Sequence, residues 1–196
     1  MPYLDFITRE NHESDLYNYY YFNEVFTPEE INEIIELCES LPKETATIDF
    51  NETTDDIRRS EIAWLEYNED SSWIYERLGE YVNIANSEMG WNFDLSGMFE
   101  DIQYSIYYDN GGHYNWHSDI GLQTNYRKIS MSLQLSTPEE YKGGKLEFNL
   151  GSNIIEANNQ VGSLTLFPSY LLHRVTPVVS GVRRSLVLWV SGKPFK

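Results

Sequence analysis

The run "KISMSLQLS" sets Ile129, Met131, Leu133 and Leu135 on one side and Ser130, Ser132 and Gln134 on the other. A clean alternation of this length has one regular solution, a strand with an apolar and a polar face. "IQYSIYY" alternates likewise before the turn signal "DNGG". Further short runs follow as "GGKLEFNLG", "NIIEA", "GSLTLFP", "LLHRVTPV" and "RRSLVLWVSG". About eight strands in under a hundred residues predict a sandwich or jelly roll.

Two helices are predicted ahead of the strands. "FTPEEINEIIELCESLP" opens with Thr27 as N-cap, Pro28 at the first helical position and Glu30 three residues after the cap, which is a capping box. Ile31, Ile34, Ile35, Cys38 and Leu41 follow at helical spacing until Pro42 stops the run. Cys38 therefore reads as buried filler, not as a nucleophile. The second helix starts near Ser71–Ser72 and ends around Gly90, with Ile74, Leu78, Tyr81, Val82 and Ala85 on one face. Between the helices, "ETATIDFNETTDDIRRSEIAWLE" reads as loop with short strands at Ile48–Phe50 and Glu61–Leu65. No linker or repeat interrupts the chain. The expectation is one domain, mostly β with α: a double-stranded β-helix (jelly roll) over 92–196, buttressed by a helical, substrate-side region over 1–91.

Bulk properties narrow the function. The net charge of −17 repels phosphate backbones, so no nucleic-acid partner is expected. No apolar run approaches the length of a membrane span, and "MPYLDFITRENHE" lacks the basic and apolar parts of a secretory signal. With Cys38 as the one cysteine there is no internal disulfide and no cysteine zinc site. A cytoplasmic setting fits. The oligomeric state is not written in the sequence.

Chemistry enters with "GGHYNWHSDIG", residues 111–121. His117 and Asp119 are one residue apart, so an extended backbone points both to one face. The pair is half of a metal site or a surface histidine beside a surface acid. His12 lies in a polar stretch and His113 in the turn, and both read as solvated. His173 sits in an otherwise apolar late run, where a core histidine is the bland alternative. In a jelly roll, however, a late strand can lie beside an early one, which would bring His173 to the pair. Two histidines and a carboxylate on one octahedral face suit a mononuclear iron centre with open positions for co-substrate and oxygen. Arg183, ten residues further on, has the planar fork that grips a carboxylate bidentately. Alone it would read as a charged strand head after "VSG". In this order, on this fold, the four residues together favour the catalytic reading.

The segments "QYSIYYDNGGHYNWHSD", "RKISMSLQLSTPEEYKGGKLEF" and "GSLTLFPSYLLHRVTPVVSGVRRSLVLWVSG" resemble the iron(II)/2-oxoglutarate-dependent dioxygenases, in the prolyl-4-hydroxylase-like branch with its PKHD-type relatives of bacteria and phages. The resemblance covers roughly residues 92–195. It rests on the ligands, the arginine, the Gly143–Gly144 turn and the "FPS" before the distal histidine, all in order. It implies His117, Asp119 and His173 as Fe(II) ligands and Arg183 on the distal carboxylate of 2-oxoglutarate. Tyr108 and Tyr114 match aromatic positions of the co-substrate pocket, and Trp189 matches a strand position facing the site. Trp116 and Trp189 would wall it, and Gln134 and Ser132 would add polar lining. The implied reaction consumes 2-oxoglutarate and O2, with ascorbate as auxiliary reductant, and hydroxylates a C–H bond with release of succinate and CO2. A prolyl residue of a protein or peptide is the first substrate expectation. A free amino acid or small metabolite is the enzyme alternative, and a non-catalytic binding or sensor protein the alternative from another class. The hook here is arginine, as in PKHD-type members, where collagen-type enzymes often have lysine. No motif before residue 90 matches a substrate-binding domain.

Overall fold

Strand parity organises the observed architecture. A computed structural model describes residues 19–47 and 55–194. Its elements begin with β1 (Tyr20–Phe22), α1 (Pro28–Glu39), β2 (Glu44–Thr45), β3 (Arg58–Arg59), β4 (Glu61–Leu65), α2 (Ser72–Glu88) and β5 (Leu95–Gly97). They continue with β6 (Ile102–Tyr108), β7 (His113–His117), β8 (Arg127–Gln134), β9 (Tyr141–Gly143) and β10 (Leu146–Asn149). The last are β11 (Ile154–Glu156), β12 (Leu164–Pro168), β13 (His173–Val175) and β14 (Val178–Gly192).

The larger sheet runs β1-β12-β8-β14-β6-β4-β2, with β5 and β9 also paired to β14, and the smaller runs β11-β10-β13-β7-β3. Pairing is antiparallel in both, as between β14 and β8 or β13 and β7. One face of the larger sheet turns to the smaller, and the other turns to the helices. The result is the mostly β jelly roll, with helical buttress, that the alternation predicts.

Ile129, Met131 and Leu133 of β8, Leu186 and Leu188 of β14, and Tyr104 and Ile106 of β6 are at most 1% exposed. They share one core with Ile31 and Ile34 of α1 and Ile74, Leu78 and Val82 of α2. Burial of each such aliphatic side chain is worth about 1.5–3 kcal/mol. The residues between them, including Gln103, Tyr107, Ser132, Arg183, Ser185 and Trp189, line the space between the sheets.

α1 starts where its capping box dictates. The Thr27 backbone N–H donates to Glu30 Oε2 at 2.9 Å, and the Glu30 N–H donates to Thr27 Oγ1 at 3.2 Å. It ends at Glu39, before Leu41, because the proline at 42 biases the residue preceding it away from helical geometry. Cys38 is fully buried, and burial pushes its thiol up to about 12, which suits a packing role. Glu39 ties α1 to the sheet, accepting from Tyr104 Oη at 2.8 Å and Arg184 Nε at 3.1 Å.

Several expectations need adjustment. The strand expected at Ile48–Phe50 and the histidine His12 lie outside the described residues. Glu61–Leu65 is β4, and the stretch ahead of it, read as loop, contributes β2 and β3. His113 is not in the turn: it opens β7. Arg183 is not at a strand head either, because "VSG" bends β14 without breaking it. Gly181, at φ +76°, makes the bend, and a Cβ there would meet the Glu140 carbonyl oxygen at 1.9 Å. At that point β14 changes partner, from β9 to β6.

Candidate metal centre

β7 and β13 run side by side with His117 opposite His173. The next paired residues are Tyr114 and Val175, three positions along β7 but two along β13. That register shift is of the β-bulge kind, and it lets Tyr114 and His117 both face inward although they stand an odd number of positions apart. Asp119 follows just after β7, held by its backbone N–H on the Ser169 carbonyl at 2.9 Å.

The three side chains converge. Nε2 of His117 lies 3.6 Å from Asp119 Oδ1, and Nε2 of His173 lies 3.6 Å from Asp119 Oδ2. All three potential ligand atoms fall within 4.8 Å of one another. Each imidazole is oriented from behind. Nδ1 of His117 is 2.7 Å from the Asn115 carbonyl, and Nδ1 of His173 is 2.8 Å from the Leu171 carbonyl. A carbonyl only accepts, so each Nδ1 carries the proton and each Nε2 lone pair faces the centre. Tyr114 stacks on His117 at 3.5 Å between centroids, and Phe167 meets His173 edge-on at 4.7 Å.

Burial, and then the neighbouring His173, push His117 down to about 3, so its ring stays neutral at physiological pH. Burial alone would raise the Asp119 carboxyl. Instead His173, His117, the Ser130 hydroxyl and Arg127 hold it below the usual carboxylate range. A carboxylate and correctly oriented imidazole nitrogens form a donor set that fits a divalent iron with positions left open.

Around the triad lies a cavity of about 460 Å³. A recess of about 240 Å³ continues from it and shares Ser132, Leu146 and Arg183 with it. Arg183 is 3% exposed; its Nη1 is 3.4 Å from Ser185 Oγ, and its guanidinium lies 5.6 Å from the Tyr107 ring centroid. No carboxylate among the described residues forms an ion pair with it. Gly144 leaves the room it needs, since a Cβ there would come within 3.1 Å of Arg183 Cδ.

The structure sorts the other candidates. Tyr114, Trp189 and Ser132 line the cavity, and Gln134 lines the recess, donating to Tyr141 Oη at 3.0 Å. Tyr108 does not reach the site. It sits on the helix-facing side of β6 and its hydroxyl donates to Glu61 Oε2 at 2.8 Å. The tyrosine that β6 presents to the cavity is its neighbour Tyr107, which pairs directly with Arg183. Trp116 is absent from the lining as well: past Tyr114 the bulge turns His117 inward instead, and the Trp116 ring lies under the Arg174 guanidinium at 4.5 Å. Arg58, Arg127 and Tyr107 line the cavity without having been singled out in the sequence. The phase of "IQYSIYY" relative to Arg183 could have found Tyr107. Arg58 stands in a polar stretch that gives no such cue.

A model of the 2OG-Fe(II) oxygenase superfamily matches residues 102–191, which hold the triad and the arginine. This region is similar to that superfamily. Among its similar proteins are PKHD-type hydroxylases. That of Teredinibacter turnerae is 40% identical over 91 residues, covering 42% of this chain and 39% of the relative. That of Acidovorax ebreus is 31% identical over 130 residues, covering 62% and 57%. The match to these curated oxygenase relatives thus spans well under two thirds of their length. In fold, the chain is similar to a prolyl hydroxylase of Trichoplax adhaerens in complex with a hypoxia inducible factor peptide fragment. The TM-score there is 0.76 at 18% identity, over 89% of this chain and 83% of that one. A Pseudomonas putida prolyl-4-hydroxylase gives 0.68 at 18% identity, over 90% and 93%. Likeness at this identity concerns the oxygenase fold alone. Among the described residues, no helix is long and apolar enough to cross a membrane.

Proposed function

We propose that the chain is an Fe(II)- and 2-oxoglutarate-dependent hydroxylase acting on a C–H bond, with a prolyl residue of a peptide as the first substrate class. One observation carries the reading: a buried arginine with no acidic partner among the described residues shares a cavity with a two-histidine, one-carboxylate cluster. His117 Nε2, Asp119 and His173 Nε2 would hold the metal. Bound iron supplies the redox chemistry in which 2-oxoglutarate is oxidatively decarboxylated to succinate and CO2 while one oxygen atom of O2 enters the substrate C–H bond.

The chain's own part is orientation and exclusion. Arg183, buried against Tyr107, offers its guanidinium fork to the distal carboxylate of 2-oxoglutarate, and charge-assisted bonds of that kind are worth about 1.5–3 kcal/mol. Ser132, Gln134 and Thr165 give the recess beside it a polar lining. Trp189 and Phe167 supply apolar wall that keeps bulk water from the reacting centre. At the rim stand the exposed residues Glu44, Thr47, Trp64 and Gln123, so the cavity opens outward. An open mouth, the PKHD-type relatives and the prolyl hydroxylase neighbours support a peptide substrate.

The deciding experiment adds Fe(II) and then 2-oxoglutarate to the apoprotein without oxygen and looks for the visible charge-transfer band. The expected result is a band in the wild type that weakens in Arg183→Ala and His173→Ala. No band in the wild type would overturn the assignment. Succinate release in air with proline peptides then tests the substrate.

A further inference from the structure

The described residues contain seven arginines. Five are in ion pairs: Arg59 with Asp55, Arg77 with Glu30, Arg127 with Glu100, Arg174 with Glu147 and Arg184 with Glu39. The two without an acidic partner among the described residues are Arg58 and Arg183. Both are buried, at 9% and 3% exposure, and both line the same cavity. In a chain with 31 acidic residues and a net charge of −17, carboxylates are abundant. A buried guanidinium without one carries a desolvation cost that an anion from outside can offset. On the proposed function, Arg183 receives its anion from the co-substrate. Arg58 has no such occupant.

The placement of Arg58 says where its anion would sit. β3 pairs with β7 so that Arg58 lies opposite Tyr114. The guanidinium lies over the Tyr114 ring at 4.7 Å, and that ring stacks on His117. Arg58 is thus two stacked layers from a metal ligand, on the smaller sheet, whereas Arg183 projects from the larger. Nε donates to Ser60 Oγ at 3.0 Å, which fixes the plane of the guanidinium. Nη1 and Nη2 have no hydrogen-bond partner among the described residues, which leaves one end-on pair of donors open to the cavity. That pair matches the two oxygens of one carboxylate.

Resting on the oxygenase reading, we infer that Arg58 is a second anion hook, which holds a carboxylate of the substrate beside the reacting centre. The substrate class is carboxylate-bearing: an acidic residue neighbouring the target in a peptide, or the carboxylate of a free amino acid. A phosphate dianion fits less well, because only one donor edge is free and the acidic protein repels double charge more strongly.

Calorimetry with twin probes tests this. One pair is a blocked proline pentapeptide with glutamate at each position beside proline in turn, against its glutamine twin. The other is L-proline against L-prolinamide. Each is titrated into the Fe(II)/2-oxoglutarate complex without oxygen and into the metal-free protein, for wild type, Arg58→Gln and Arg58→Lys. The expected result is a carboxylate preference of roughly tenfold or more in the wild type, lost in Arg58→Gln and partly kept in Arg58→Lys. A preference within the peptide pair assigns the carboxylate to an acidic side chain, and one within the free pair assigns it to a small acid. Equal affinities within both pairs, no binding by any probe, or a preference that survives Arg58→Gln would each overturn the hook. The oxygenase reading fails separately. If the charge-transfer band is missing while Arg58-dependent carboxylate binding persists, the hook stands and the oxygenase reading falls.

Discussion

Ser130 donates its hydroxyl proton to Asp119 Oδ2 at 2.5 Å, and Ser169 Oγ stands 3.0 Å behind it. Ser130 and Ser169 are fully buried. The polar face of β8 therefore pins the one carboxylate of the metal centre, leaving Oδ1 as its unpinned oxygen. Such supporting partners are worth about 10–100-fold in metal affinity. Ser130→Ala should weaken Fe(II) or Co(II) binding by that order while Ser130→Thr keeps most of it, as read by anaerobic metal titration. Unchanged affinity in Ser130→Ala would remove the serine from the site.

Arg183→Ala should lower 2-oxoglutarate affinity by roughly tenfold to a hundredfold, the equivalent of about 1.5–3 kcal/mol. Metal affinity should stay near the wild-type value, since the arginine does not contact the triad. Titrating 2-oxoglutarate against the charge-transfer band, after a separate metal titration, reads both. An equal loss of metal and co-substrate would point to general damage.

Adjacent tyrosines should behave differently. Tyr107 lies against Arg183 in the cavity, so Tyr107→Ala should weaken 2-oxoglutarate binding. Tyr108→Phe removes only the hydrogen bond to Glu61 on the other face, which contributes about 1 kcal/mol or less to stability. Its turnover should match the wild type. The reverse result would mean that β6 presents Tyr108, and not Tyr107, to the cavity.

Glu39 gives a pH signature. Burial favours its protonated form, but hydrogen bonds from Lys43, Tyr104 and Arg184 outweigh that and bring the carboxyl from 4.5 down to about 2. A depressed carboxyl stabilises the fold fully above its unfolded value and loses that contribution as pH falls through the folded one. The Tm gap between wild type and Glu39→Gln should therefore be complete at pH 6, narrow below pH 4.5 and vanish near pH 2. The side chain is 38% exposed, which limits the contribution to about 1 kcal/mol or less. A gap that stays constant with pH would rule the network out.

Much of this was legible in the residues. The capping box set the start of α1, and β8 presents the faces that "KISMSLQLS" spells out. The triad and Arg183 were visible as an ordered set because each needs a particular side chain. What stayed hidden depends on pairing. Tyr107 and Tyr108 are chemically the same, and only the register with β14 separates them. Arg58 gains meaning from the edge pairing of β3, two residues long, with β7. Propensity says little about so short an edge strand. Trp116 was expected as a wall of the site, but as the neighbour of the inward-facing His117 it turns to the other face of β7, where its ring meets Arg174.

That extra residue bears on how such proteins are found in genomes. A deletion of residue 115 or 116 would leave Tyr114 and the histidine two positions apart, the same spacing as His173 and Val175, so both would face inward with no bulge. The written pattern of histidine, aspartate, histidine and arginine would survive untouched. A chain could thus keep its centre with either spacing, and a search that fixes the number of residues between the tyrosine and the histidine would miss it where ligand identity does not.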